Sequence, residues 1–125
     1  MATIEITKDN LEQVIKDNDM ILLDFWAGWC GPCRSFAPVF EAASEIHSDI
    51  VFGKIDTEAQ QELAAGFGIT SIPTLMAFRE GIIVFSQPGA LPAPYLEQVV
   101  EGMRGLDMDE VRASVAAQQV EGAKQ

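Results

Sequence analysis

Met20-Ile21-Leu22-Leu23-Asp24-Phe25-Trp26-Ala27-Gly28-Trp29-Cys30-Gly31-Pro32-Cys33-Arg34 sets the architecture of this chain. Its first half is an apolar run interrupted by one carboxylate, the signature of a central strand covered on both faces. Both cysteines of the sequence follow, two residues apart, and a helical pattern begins at the second. Two thiols at this spacing can close a small disulfide ring or bind a metal. In a strand-then-helix setting they read first as a redox dithiol. The strand delivers Cys30 to a loop, and Cys33 falls in the first turn of the helix. Unpaired backbone N–H groups and the helix dipole there favour the Cys30 thiolate, the attacking species in disulfide exchange. Cys30 is expected to face solvent and act as nucleophile, and Cys33 to be more buried and resolve.

Two other readings of the pair are weaker. A structural zinc site needs four ligands, and His47 is the only other soft ligand in the chain. A purely structural disulfide at this spacing closes a tiny loop, and the stability gained grows with loop length. No metal is expected.

Toward the N-terminus, Thr3 to Thr7 alternates polar and apolar residues as a strand does, and Asp9 with Glu12 has the spacing of a capping box. That predicts a helix to about Asp17, broken by Asn18-Asp19. Toward the C-terminus the helix from Cys33 runs to about His47, with Pro38 expected to kink it. Ile50 to Asp56 reads as a strand. Thr57 with Gln60 predicts a capped helix to about Phe67, stopped by Gly66-Phe67-Gly68. Thr74 to Arg79 and Ile82 to Gln87 flank Glu80-Gly81, a hairpin signal. Pro92 and Pro94 stand at the entrance of a helix that Gly105 stops after Arg104. Asp107 with Glu110 predicts a last cap, and Met108, Val111 and Val115 share one face. Beyond them Ala116-Ala117-Gln118-Gln119 offers little apolar surface, so the expectation is a short, loosely packed helix frayed from about Val120. This order is α/β, a mostly parallel sheet with helices on both faces.

A length of 125 residues suits one domain with a real core, and 48% hydrophobic residues argue against disorder. A net charge of −11 disfavours nucleic acid and anionic membrane surfaces as partners. Met1 to Ile6 shows no secretory pattern and no apolar run is long enough to span a bilayer, so cytoplasm is the expected compartment. Asp24, alone in an apolar strand, is expected to have a raised pKa.

Asp24 through Arg34, followed by Pro38 and later by Ile72-Pro73-Thr74, resembles the active-site segment of the thioredoxin family. The resemblance runs from about Ile4 to Gly105. That family is the standard example of such a motif and of a depressed cysteine pKa, so both come with the resemblance. It implies the thioredoxin fold, a central five-stranded mixed β-sheet flanked by helices on both faces; residues 1–106 are the expected domain, and 107–125, where the resemblance has run out, an expected C-terminal helical extension. It implies that Gly31-Pro32 between the cysteines marks a reductant. It makes Asp24 a proton acceptor and donor for Cys33, against the alternative of a structural carboxylate bonded to backbone. Lys54 aligns with a family lysine near that acid, and equally fits a solvent-facing lysine at a strand edge. Pro73 matches the family's cis-proline; the sequence itself leaves the isomer open. Trp29, Ile72, Gly89 and Ala90 would form an apolar client-docking rim, with Trp26 packed in the core beneath. His47 receives no catalytic role.

The function implied is reduction of protein disulfides through Cys30 and Cys33 by a monomer with no bound cofactor, recharged from NADPH by a flavin thioredoxin reductase. A dedicated redox partner of one enzyme, such as a peroxiredoxin or ribonucleotide reductase, shares that chemistry. A redox-inactive binding module on the same fold is the alternative from another class. NADPH consumption in the presence of reductase and a disulfide substrate separates the enzyme from the module.

Overall fold

The computed structural model describes residues 2–124. Its elements in chain order are β1 (Thr3–Glu5), α1 (Leu11–Asp17), β2 (Met20–Trp26), α2 (Gly31–Ile46), β3 (Val51–Asp56), α3 (Gln61–Gly66), β4 (Thr74–Arg79), β5 (Ile82–Pro88), α4 (Ala93–Arg104) and α5 (Met108–Lys124). The strands form one sheet in the order β1-β3-β2-β4-β5. It is evenly mixed and not mostly parallel: β1, β3 and β2 run parallel, while β4 and β5 join antiparallel to their neighbours. The reason lies in the connections. The two-residue Glu80-Gly81 link can only return the chain antiparallel, whereas a parallel neighbour needs a crossover such as α2.

Side-chain alternation along β2 divides the interior into two cores. Leu22 points with Phe36 and Phe40 of α2 and Leu96 and Val100 of α4 into one core. Ile21, Leu23 and Phe25 point into the other, closed by Leu11 of α1 and by Leu63 of α3. Aromatic edges seal both: Phe40 meets Phe52 at 5.1 Å between ring centroids, and Phe25 meets Phe67 at 5.7 Å.

The hairpin forms as its residues require. Glu80 and Gly81 both take positive φ, 52° and 79°, the geometry of a two-residue turn matched to strand twist. Two expected capping boxes do not form. Asn10, not Asp9, stands at the N-cap of α1, and its Oδ1 accepts from the Thr7 N–H at 2.8 Å instead of capping the helix. Thr57 spends both its N–H and its hydroxyl on the Trp26 carbonyl, at 2.8 and 3.0 Å, and Asp56 Oδ1 takes the Glu58 and Ala59 N–H groups. At Thr57 a contact across the fold outcompeted the local cap; at Asn10 a bond within the preceding turn did. Asp107 does cap α5, accepting from the Asp109 N–H at 3.0 Å. That helix is longer than expected and continues past Val120 to Lys124. Met108 at its start is buried, and Arg112 pairs with Glu80 of the hairpin turn at 2.6 Å.

Gly53 of β3 faces the α1/α3 core so tightly that a Cβ would lie 2.5 Å from Ile6 Cγ1 and 3.0 Å from Leu23 Cδ2. Gly53→Ala is therefore expected to destabilise the domain by about 1–3 kcal/mol through overpacking, read as a lower urea midpoint. Ending the chain after Leu106 removes the buried Met108 and the Arg112–Glu80 pair. The expected loss is about 1–3 kcal/mol of stability with an unchanged rate of disulfide reduction; a slowed rate in a folded truncation would place α5 in the function.

Candidate active site

β2 ends at Trp26, and the chain turns sharply, with the Cys30 N–H donating to the Ala27 carbonyl at 3.2 Å. Cys30 becomes the N-cap of α2, its sulfur accepting from the Cys33 N–H at 3.1 Å. The helix begins at Gly31, two residues before the expected start, and Pro32 occupies a first-turn position where no backbone donor is needed. Pro38 lies inside a helix that runs unbroken from Gly31 to Ile46. Cys30 and Cys33 form a disulfide with Cα atoms 5.2 Å apart. The expected contrast in exposure is absent in this state: Cys30 is 4% exposed and Cys33 3%. In the disulfide the Cys30 sulfur lies 3.8 Å from the Ile72 carbonyl oxygen.

Ile72-Pro73 is a cis peptide bond. The Pro73 carbonyl accepts from the Gly89 N–H at 2.8 Å, and Gly89 has a φ of +105° that favours glycine. The loop before β4 and the loop after β5 are thus tied together, which places Ile72 and Gly89 on the cysteine side of the sheet, with exposed Ala90 following. Trp29 is 67% exposed, but its indole N–H is fixed by Glu58 Oε1 at 2.7 Å. Glu58 was not legible beforehand: an acidic residue in a turn has no sequence signal for such a contact.

Asp24 points with Leu22 toward α2 and is 1% exposed. Among the described residues neither of its carboxylate oxygens has a hydrogen-bond partner, so the reading of a carboxylate held by backbone does not stand. It lines a cavity of about 100 Å³ with Trp26, Cys33, Arg34, Ala37 and Lys54. Lys54 sits directly across from Asp24 in the β2–β3 register, half-buried, its ammonium 5.0 Å from the centroid of the Trp26 ring. It is not a free lysine at a strand edge. Burial pushes the Asp24 carboxyl up to about 7, a rise that the nearby Lys54 charge partly offsets. His47 lies at the far end of α2, about 24 Å of helix from the dithiol at 1.5 Å per residue, and its ring bonds to Glu97 at 2.8 Å. Among the described residues no cluster of three or more His, Cys, Asp or Glu side chains could hold a metal, and no helix is long and apolar enough to cross a membrane.

A strand-delivered C-x-x-C disulfide at a helix N-terminus, on a mixed sheet sandwiched between helices, defines a thiol–disulfide oxidoreductase fold and site. The thioredoxin family profile matches residues 2–102. A Streptomyces coelicolor protein provisionally named thioredoxin 2 is 58% identical over 120 residues, 96% of this chain and 90% of its own. That alignment reaches well into α5. Thioredoxin of Alicyclobacillus acidocaldarius is 42% identical over 97 residues, covering 77% of this chain and 92% of its own. Among solved structures, a point mutant of a thioredoxin from Halobacterium salinarum superposes with a TM-score of 0.76 at 34% identity, over 84% of this chain and 92% of that one. The chain belongs to the thioredoxin family, the protein-disulfide oxidoreductases. With membership come disulfide-bearing client proteins and reductase partners in general.

The buried acid yields a stability prediction. The unfolded Asp24 carboxyl releases its proton near pH 3.8, and the folded one near 7. The contribution of Asp24 to stability is thus most favourable below about pH 4 and declines as pH rises toward 7, where the folded group also ionises. Asp24→Asn removes this loss. It is expected to be more stable than the parent above pH 7, by up to the order of 3–4 kcal/mol at about 1.4 kcal/mol per pH unit, with the gap closing toward pH 4. Denaturant midpoints at several pH values measure it. An equal gap at pH 4 and pH 8 would refute the assignment.

Proposed function

We propose that this chain reduces the disulfides of client proteins, with Cys30 as nucleophile, Cys33 as resolving thiol and Asp24 as the proton acceptor of Cys33. The Cys30 thiolate attacks a client sulfur, forming a mixed disulfide and releasing one client thiolate. Cys33 passes its proton to the Asp24 carboxylate, and its sulfur attacks Cys30. The second client thiolate leaves and the Cys30–Cys33 disulfide closes, so two electrons pass from the chain to the client. The observation that carries this reading is the dithiol at the α2 N-terminus with Cys33 and Asp24 lining one cavity.

An extended client segment pairs with the Ile72 backbone beside Pro73, main chain to main chain. Trp29, Ile72, Gly89 and Ala90 supply an apolar rim that tolerates varied client side chains. NADPH returns the electrons through a flavin-dependent thioredoxin reductase, and Gly31-Pro32 sets the pair as a reductant. The protein works as a cytoplasmic monomer. The net charge of −11 favours client and reductase faces less acidic than itself and disfavours nucleic acid.

Exchange of sulfur partners tests the assignment. Cys33→Ser is expected to accumulate mixed disulfides with clients, because the adduct on Cys30 can no longer be resolved, and Cys30→Ser to trap none. Mass spectrometry of the adducts reads the result. Stable adducts from Cys30→Ser alone would reverse the roles. Both variants are expected to lose NADPH oxidation in an assay coupled to reductase and a disulfide client, since turnover needs both thiols.

A further inference from the structure

Trp26 takes part in the site in a way its place at the end of an apolar strand did not announce. Alternation along β2 puts Asp24 and Trp26 on the same side of the sheet. The β2–β3 register sets Lys54 opposite Asp24 and Asp56 opposite Trp26. A lysine on that strand has two directions open to it: inward over the Trp26 ring, or outward toward Glu5, its exposed neighbour across β1. It takes the inward one, with Nζ 5.0 Å from the ring centroid. An indole face is the strongest of the aromatic surfaces for a cation.

We infer that Trp26 is a positioning residue, its ring holding the Lys54 ammonium beside Asp24 and so setting the pH at which that acid exchanges a proton with Cys33. The inference rests on the role proposed for Asp24. The groups facing Asp24 are few. β4 presents uncharged Leu75 opposite it, and α2 presents Cys33 together with Arg34, whose residue is exposed. Asp56 is engaged by the Glu58 and Ala59 N–H groups at the following turn. Lys54 is therefore the cation that the sheet itself supplies, and its distance from Asp24 depends on which way its four-carbon stem swings. Without the ring, the stem is free to extend toward solvent and Glu5. The compensating charge then recedes from a carboxylate that lacks hydrogen bonds of its own.

The test is a double-mutant cycle on the reduced protein, with the Asp24 carboxyl titrated by carbon NMR and the pH profile of client reduction measured alongside. Trp26→Leu is expected to raise the Asp24 midpoint by about 0.5–1 pH unit, part of the one to three units that a neighbouring opposite charge imposes. The client-reduction profile should move with it. Trp26→Phe, which keeps a weaker aromatic face, should give a smaller shift in the same direction, and carries the test by itself if the leucine variant does not fold. In a Lys54→Gln background neither substitution should move the midpoint further. An unmoved midpoint, or an equal shift with and without Lys54, overturns the inference and leaves Trp26 as packing. A midpoint that shifts while the client-reduction profile stays fixed, in these variants and in Asp24→Asn, supports the Trp26–Lys54 contact and overturns the role of Asp24 instead.

Discussion

β2 is hydrogen-bonded along both edges and covered on both faces, and this double burial is the constraint on which the rest of the structure depends. A strand so enclosed admits one register only, because a slip of one residue would exchange every side chain between the two cores. Such a slip would bring Ile21, Leu23 and Phe25 to the α2 side and turn Asp24 toward α1 and α3. The hydrophobic effect on those residues therefore does more than hold the sheet. It fixes Asp24 opposite Lys54, aims it at the cavity that Cys33 lines, and delivers Cys30 to the start of α2.

Much of this was legible in the sequence, and the parts that were not share a cause. Elements with a strong local signal formed where expected: the apolar run of β2, the Glu80-Gly81 turn that needs two positive φ values, the prolines at the start of α4. The misread features were those in which a residue had a local and a distant use. Thr57 had the spacing to cap α3 but ties the end of β3 to Trp26. Trp26 was legible as an aromatic at the edge of a core, but its contact with Lys54 depends on strand pairing that no local window contains. Glu58 is harder still, since its bond to Trp29 joins two exposed residues on different loops. The last helix runs further than its Asp107 cap and weak apolar stripe indicate by themselves. The Arg112–Glu80 pair adds an electrostatic contact to the hairpin turn that no local window contains.

The two halves of the site sit in opposite electrostatic settings. At Cys30, the first turn of α2 presents backbone N–H groups, one of which already donates to the sulfur, so negative charge is favoured there. At Asp24, burial without hydrogen bonds penalises negative charge. Groups whose surroundings push them apart in this way are natural partners in proton exchange. On the role proposed for Asp24, taking up the Cys33 proton would relieve this penalty in the resolving step, after the helix terminus has favoured the Cys30 thiolate in the first attack. Asp24 and Cys33 line one small cavity.

That arrangement has a thermodynamic cost, and the fold is built so that the cost falls in one place. An ionised carboxylate with neither oxygen bonded is unfavourable above neutral pH, and nothing in the packing of β2 requires it; an apolar side chain would fill the position with less penalty. The stabilising polar contacts lie elsewhere. Arg79 caps the end of α4 through the Met103 carbonyl, His47 joins α2 to α4 through Glu97, and Arg104 reaches Asp49. These groups sit at the end of the sheet opposite the cysteines, where they brace the helices without imposing charge on the dithiol. The cation that the sheet brings close to Asp24 is Lys54, and it is held by a ring and not by a second carboxylate. A carboxylate partner would have added a further negative charge beside Asp24 and raised its proton affinity again. An aromatic face orients the cation without adding a negative charge beside Asp24.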